Sequence, residues 1–140
     1  MPQFSETVQI AKAPEEVWRL ISEPERWVDG YLETRSRSSD YPGPDTRNDH
    51  LYRTRMKEEV AVRVTRSEAP SVLEETQDGK TFSRRVRYSL RPDMGGTFVR
   101  VEDEVDFKGL GKLAAPIATR DVKRRWASSL QNLKSAAEAS

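Results

Sequence analysis

The sequence predicts an α+β domain over residues 1–140: a curved antiparallel sheet of about seven strands, two short N-terminal helices and one long C-terminal helix. Three observations carry that expectation. Between Tyr31 and Phe107 apolar and polar residues alternate at the two-residue period of half-buried strands. From Gly109 to Ser140 the apolar residues instead recur every three to five positions, as on a helix. That last segment is also long. From Leu113 to Ala137 it would run about 37 Å at 1.5 Å per residue, enough to cross strands of nine to eleven residues that span about 30–36 Å.

The elements follow in order. Phe4, Val8 and Ile10 share one face of a first strand, Phe4 to Lys12, with Glu6 as the exception in that phase. Pro14 suits the first position of a helix, and Glu15 and Glu16 suit its positive end. Val17, Trp18, Leu20 and Ile21 form its apolar face, and Pro24 ends it. Residues Glu25 to Val28 make a second short turn, released by Gly30. Leu32–Ser38 is a polar strand suited to a sheet edge. Pro42, Gly43 and Pro44 make Ser39–Asn48 a loop. Strands follow at His50–Met56, at Glu58–Arg66 with Val60, Val62 and Val64 on one face, and at Val72–Gln77. Asp78-Gly79 is a two-residue hairpin signal.

The last two strands are Thr81–Leu90, with Phe82, Val86, Tyr88 and Leu90 on one face, and Thr97–Phe107, with Val99, Val101, Val105 and Phe107 on one face. A turn at Pro92-Asp93-Met94-Gly95 sets Arg91 opposite Gly96. Tyr88 then meets Val99, Val86 meets Val101, Phe82 meets Val105, Arg84 meets Asp103 and, on the outer face, Arg85 meets Glu102. Pro116 marks a kink or a start in the C-terminal helix.

Composition bounds the function. With 24 basic and 23 acidic residues the net charge is +1, which does not call for nucleic acid or an anionic surface. At 34% charged residues and a mean hydropathy of −0.81 the core is thin, and half-buried positions carry polar groups. There is no cysteine, which excludes thiolate catalysis and zinc–thiolate sites, and a single histidine, His50. No metal or cofactor is expected. No stretch approaches a membrane span and the first ten residues lack a secretory pattern, so the expectation is a soluble cytoplasmic protein.

The segment Ala13-Pro14-Glu15-Glu16-Val17-Trp18-Arg19-Leu20-Ile21, followed by Pro24-Glu25-Arg26-Trp27, resembles the opening pattern of the START/Bet v 1-like (SRPBCC) superfamily. Bacterial members of that superfamily are often called polyketide cyclase/dehydrase or lipid-transport proteins. Gly109-Leu110-Gly111 and Leu130-Gln131-Asn132-Leu133-Lys134 are similar to its C-terminal helix. The resemblance covers nearly the whole chain, and it implies the helix-grip fold with a cavity between sheet and helix. It also implies binding or carriage of a hydrophobic or amphipathic, lipid- or polyketide-like small molecule. Two alternatives come with it: a cyclase or dehydratase, and a surface-mediated interaction protein such as a co-chaperone or toxin component. The motifs identify a fold and not a chemistry, since one fold hosts many functions.

The residues themselves suggest where a ligand would lie. Arg84 and Asp103 interrupt two apolar faces, so either they form a paired polar anchor at the cavity floor or they are a solvated ion pair at a leaky sheet edge. The second reading is favoured, because a one-residue slip turns either group outward. Trp27 and Tyr31 are expected near the cavity mouth, Tyr52 and Tyr88 on the concave face, and Leu113 and Ile117 on the helix. Trp18 and Trp126 read as core anchors. His50 reads as a surface histidine, Glu58 and Glu59 as strand-end carboxylates, and Lys123-Arg124-Arg125 as a solvated helix face. No catalytic residue is assigned.

Overall fold

Alternation and turn chemistry together produce one seven-stranded antiparallel sheet in the computed structural model, which describes residues 2–140. The strands are β1 (Gln3–Ile10), β2 (Tyr31–Arg37), β3 (Arg47–Arg53), β4 (Lys57–Glu68), β5 (Val72–Asp78), β6 (Phe82–Asp93) and β7 (Gly96–Phe107), in the spatial order β1-β7-β6-β5-β4-β3-β2. Helix α1 (Pro14–Ile21) and a single 3₁₀ turn (Pro24–Arg26) link the two edge strands. A one-turn helix α2 (Leu110–Leu113) leads into α3 (Ala115–Glu138), which has Pro116 in its first turn. The proline thus starts the main helix, where its missing N–H costs nothing.

The β6–β7 register differs from the sequence expectation by two residues. Asp93 pairs with Gly96 around Met94 and Gly95, whose φ values are 48° and 81°. Two successive positive φ angles make the tight turn whose twist suits a hairpin, so no four-residue turn forms. Arg84 therefore faces Val105, Val86 faces Asp103, Tyr88 faces Val101 and Arg85 faces Glu104. A shift of two keeps every side chain on its expected face. The β5–β6 hairpin is also longer than Asp78-Gly79 suggests, with Asp78 pairing with Ser83 across Gly79, Lys80, Thr81 and Phe82. Glu58 is the cause: its carboxylate accepts from the Lys80 and Thr81 N–H groups at 2.7 and 3.0 Å and from the Thr81 hydroxyl at 2.6 Å. It is buried and holds the loop open, so it is no solvated strand end.

The helix-to-sheet contact is uneven along α3. Trp126, Leu130, Leu133 and Ala137 occur at spacings of four, three and four and pack into the main core with Val8, Ile10, Tyr88, Val99 and Val101. α1 closes the same end through Val17, Leu20 and Ile21. Toward its N-terminus the inward stripe of α2 and α3 shrinks to Gly111, Ala114, Ala118 and Val122. These small side chains leave a gap over a second apolar cluster of Tyr52, Val60, Val62, Phe82 and Val105. No helix among the described residues is long and apolar enough to cross a membrane.

Candidate functional site

The gap is a cavity of about 260 Å³, floored by β3, β6 and β7 and roofed by α2 and the first half of α3. Val28, Met56, Phe82, Val105, Phe107, Leu110, Ala114, Ala118, Val122 and Trp126 make its wall mainly apolar. Tyr52, Arg84, Asp121 and Arg125 contribute polar groups. An apolar cavity of about 150 Å³ already accepts a benzene ring, so there is room here for a somewhat larger compact molecule.

Arg84 stands on the concave face in a cross-strand row that runs Asn48, Val62, Gln77, Arg84, Val105. Asp103 belongs to the neighbouring row Val64, Glu75, Val86, Asp103, Phe4. The ion pair is therefore diagonal, with Arg84 Nη1 3.5 Å from Asp103 Oδ2 and both side chains almost wholly buried. The long arginine bridges a diagonal that shorter side chains would leave open. A solvated pair at a leaky edge is excluded by this burial.

Each member of the pair has further partners. Arg84 Nε donates to Gln77 Oε1 at 2.9 Å, and its guanidinium lies 5.0 to 5.8 Å from the ring centres of Phe82, Trp126 and Tyr52. Those faces stabilise a desolvated cation. Trp126 Nε1 donates to Asp103 Oδ2 at 2.8 Å, tying α3 to the sheet, while Asp103 Oδ1 has no partner. Burial pushes the Asp103 carboxyl up; Arg84 and the indole N–H oppose that shift.

The network continues along β5 to Glu75 and on to Tyr41 in the loop before β3. Gln77 Nε2 donates to Glu75 Oε1 at 2.9 Å, and the Tyr41 hydroxyl donates to Glu75 Oε2 at 3.1 Å. Burial pushes the Glu75 carboxyl up as well, with the bonds from Gln77 and Tyr41 opposing it. The signal for both residues was present: with Leu73 inward, alternation also turns Glu75 and Gln77 inward.

The other predicted residues divide. Tyr52 lines the cavity. Trp27 does not sit at the mouth; it is 2% exposed in the core, donating from Nε1 to the Leu20 carbonyl at 2.9 Å. The 3₁₀ turn Pro24–Arg26, closed by the Trp27 N–H donating to the Pro24 carbonyl, folds the chain back directly after α1 and brings Trp27 against that helix. Tyr31 is half-buried and stacks on His50 with ring centres 4.3 Å apart, outside the cavity. Tyr88 lies deeper, edge-on to both Trp27 and Trp126. Leu113 and Ile117 are 83% and 52% exposed and do not line the cavity. Each precedes a residue of the inward stripe, Ala114 or Ala118, and one residue turns a helix by about 100°.

Two further expectations are corrected. His50 is buried, at 5% exposed, with its Nδ1 unpartnered. Inward-facing Asn48 and Tyr52 flank it at two-residue spacing, so β3 carries it inward too. Burial lowers its pKa to about 4, with Arg84 and Arg37 adding to the effect, and the imidazole is neutral at pH 7. Arg125 leaves the basic run. Lys123 and Arg124 face solvent, but the Arg125 side chain is 17% exposed and lines the cavity. Among the described residues no cluster of three or more His, Asp or Glu side chains is arranged to hold a metal ion.

The family model described as "Polyketide cyclase / dehydrase and lipid transport" matches residues 1–138 of the chain. No curated protein matches it. Several solved structures share the fold. A conserved protein from Geobacillus kaustophilus superposes with a TM-score of 0.79 at 12% identity, covering 99% of this chain and 96% of that one. A START superfamily protein from Mycobacterium smegmatis gives 0.71 at 17% identity, covering 98% and 97%. Ara h 8.0201 gives 0.74 at 13% identity, covering 99% of both chains. At such identities the likeness is one of fold.

Proposed function

Because the chain belongs to the polyketide cyclase/dehydrase and lipid-transport family of the START/Bet v 1-like superfamily, we propose that it binds or carries a compact hydrophobic or amphipathic molecule in the cavity under α3. The observation that supports this most is the cavity itself. A gap of about 260 Å³ persists where a core would otherwise close, because four small inward residues occupy the start of the helical roof. Filling the gap with larger side chains would add stability, so the small ones read as retained for an occupant. Tyr52 and Arg84 in its floor offer a hydroxyl and a cation to orient that occupant, and Asp103 and Trp126 hold the cation in place.

Native mass spectrometry of the freshly purified chain, beside an Ala118→Trp variant whose indole would fill the gap, tests the reading. A bound mass on the wild type that disappears on denaturation and is missing from the folded variant is the expected result. Equal bound mass on both proteins would place the ligand elsewhere and end the proposal. A cyclisation or dehydration reaction is the second reading, favoured by Tyr52 and Arg84 facing one enclosed space. Turnover unaffected by Tyr52→Phe in a folded protein would remove the tyrosine from it.

A further inference from the structure

Two arginines face the cavity from opposite sides, and their surroundings differ. Arg84, in the floor, is engaged by Gln77, by Asp103 and by three aromatic rings. Arg125, in the roof, is held in place but makes no hydrogen bond among the described residues. Its Nε is buried without an acceptor. The two nearest carboxylate oxygens, Asp29 Oδ1 and Asp121 Oδ2, are each 3.6 Å away, outside hydrogen-bond reach. Asp121 is already bonded to Arg124.

The position of Arg125 is nonetheless fixed. Its guanidinium lies across Gly30, where an added Cβ would come within 2.8 Å of Nη1. The Asp29 N–H donates to Ser129 Oγ at 2.9 Å, which clamps the Asp29-Gly30 turn to the same helix. A guanidinium is a rigid fork of five N–H donors, and here the fork is placed, partly desolvated and unsatisfied at Nε.

The charges in the wall point the same way. Of the three arginines that line the cavity, Arg84 is paired with Asp103 and Arg125 is flanked by Asp29 and Asp121, while Arg55 forms no ion pair among the described residues. The wall thus keeps one excess positive charge, and the remaining surface is mainly apolar. The complement is an apolar body with one anionic head. We infer that the ligand of this cavity is an amphipathic organic anion, a carboxylate or an oxyanion of like shape, whose head accepts hydrogen bonds from Arg125. The planar fork suits two carboxylate oxygens, and bonds of this kind are roughly twice as strong as neutral ones. This inference rests on the cavity being the ligand site, and it adds the chemical class of the ligand and the residue that selects it.

Calorimetric titration of the full chain with 2-naphthoate and with 2-naphthalenemethanol tests the inference, the two probes sharing a ring system and differing in head charge. The wild type should prefer the anion by about tenfold or more, the size expected of a charge-assisted hydrogen bond. Arg125→Met, which keeps an apolar stem, should abolish the preference and leave the alcohol within about twofold, and Arg124→Met should change neither. Circular dichroism and thermal melts establish that each variant is folded. A preference that survives Arg125→Met, or one lost equally in Arg124→Met, overturns the inference while leaving the cavity a ligand site. Binding of the alcohol as tight as that of the anion does the same. If neither probe binds the wild type, the ligand-site reading fails, and this inference fails with it.

Discussion

Arg84 shows how a single charged side chain can be stable in a core built from few apolar residues. It is buried, yet an acid, an amide and three ring faces surround it. Removing only the acid should be costly. Asp103→Ala strands the cation and is expected to lower unfolding stability by about 3–5 kcal/mol in urea titrations. The double variant Arg84→Met/Asp103→Leu, which removes both charges and keeps much of the volume, should recover most of that loss. A double variant as unstable as the sum of its two single changes would show that the residues do not act as a pair. Sequence alternation put both groups on the concave face, and the diagonal contact came from the two-residue turn at Met94-Gly95. Arg125 was harder to foresee. It follows two solvated basic residues, and only the return of the chain at Gly30 gives its guanidinium a surface to rest on.

At the scale of elements, α3 is two helices in one. Its C-terminal half carries large residues into the core, and its N-terminal half carries small ones over a cavity. The two halves should respond differently to truncation. Leu130→Ala removes a fully buried side chain and should cost about 2–5 kcal/mol. Val122→Ala enlarges a space that already exists and should cost about 1 kcal/mol or less, since fewer contacts are lost. Urea midpoints of the two variants measure the difference, and equal losses would mean that the first half of α3 packs as tightly as the second. The three-residue β5–β6 loop belongs to this scale too. Its length is set by the buried Glu58 carboxylate, which is invisible to a hairpin rule that reads only Asp78-Gly79. The loop in turn seats α2, because Gly111 lies directly against the Thr81 carbonyl, where a Cβ would approach to 2.1 Å.

The acid stability of the whole molecule should carry the signature of His50. Its folded pKa of about 4 lies below the ordinary 6.5, because the site is desolvated and Arg84 and Arg37 face it, with Asp49 opposing. As pH falls, the unfolded chain takes up the proton first. The stability that His50 contributes is therefore complete above about pH 6.5 and is lost on the way down to about 4, up to about 3 kcal/mol in all. Asp103 and Glu75, with raised pKa values, act with the opposite sign: their contribution is complete at low pH and is lost as pH rises through their folded values. Comparing urea midpoints of the wild type and His50→Gln from pH 7 to pH 4.5 isolates the histidine, and the variant's acid limb should be flatter. Parallel limbs would mean that His50 takes up its proton as readily in the folded chain as in the unfolded one.

By itself the sequence determined the class of fold and, where alternation is clean as in β4, β6 and β7, the face on which the apolar residues lie. Both follow from a local period that no register shift of two can change. In the weakly alternating β3 it left His50 on the wrong side. It also marked Pro116 as either a kink or a start of the C-terminal helix, since proline lacks the N–H that a helix interior needs, and the structure places it in the first turn of α3. Only the tertiary structure decided which inward residues meet. That depended on the length of two hairpins, on a glycine that returns the chain over α3, and on the phase at which that helix settles on the sheet. The cavity is a product of that second kind. Its wall joins residues from four distant stretches of the chain, and a gap between packed elements exists only once their separation is set by the large side chains further along the helix.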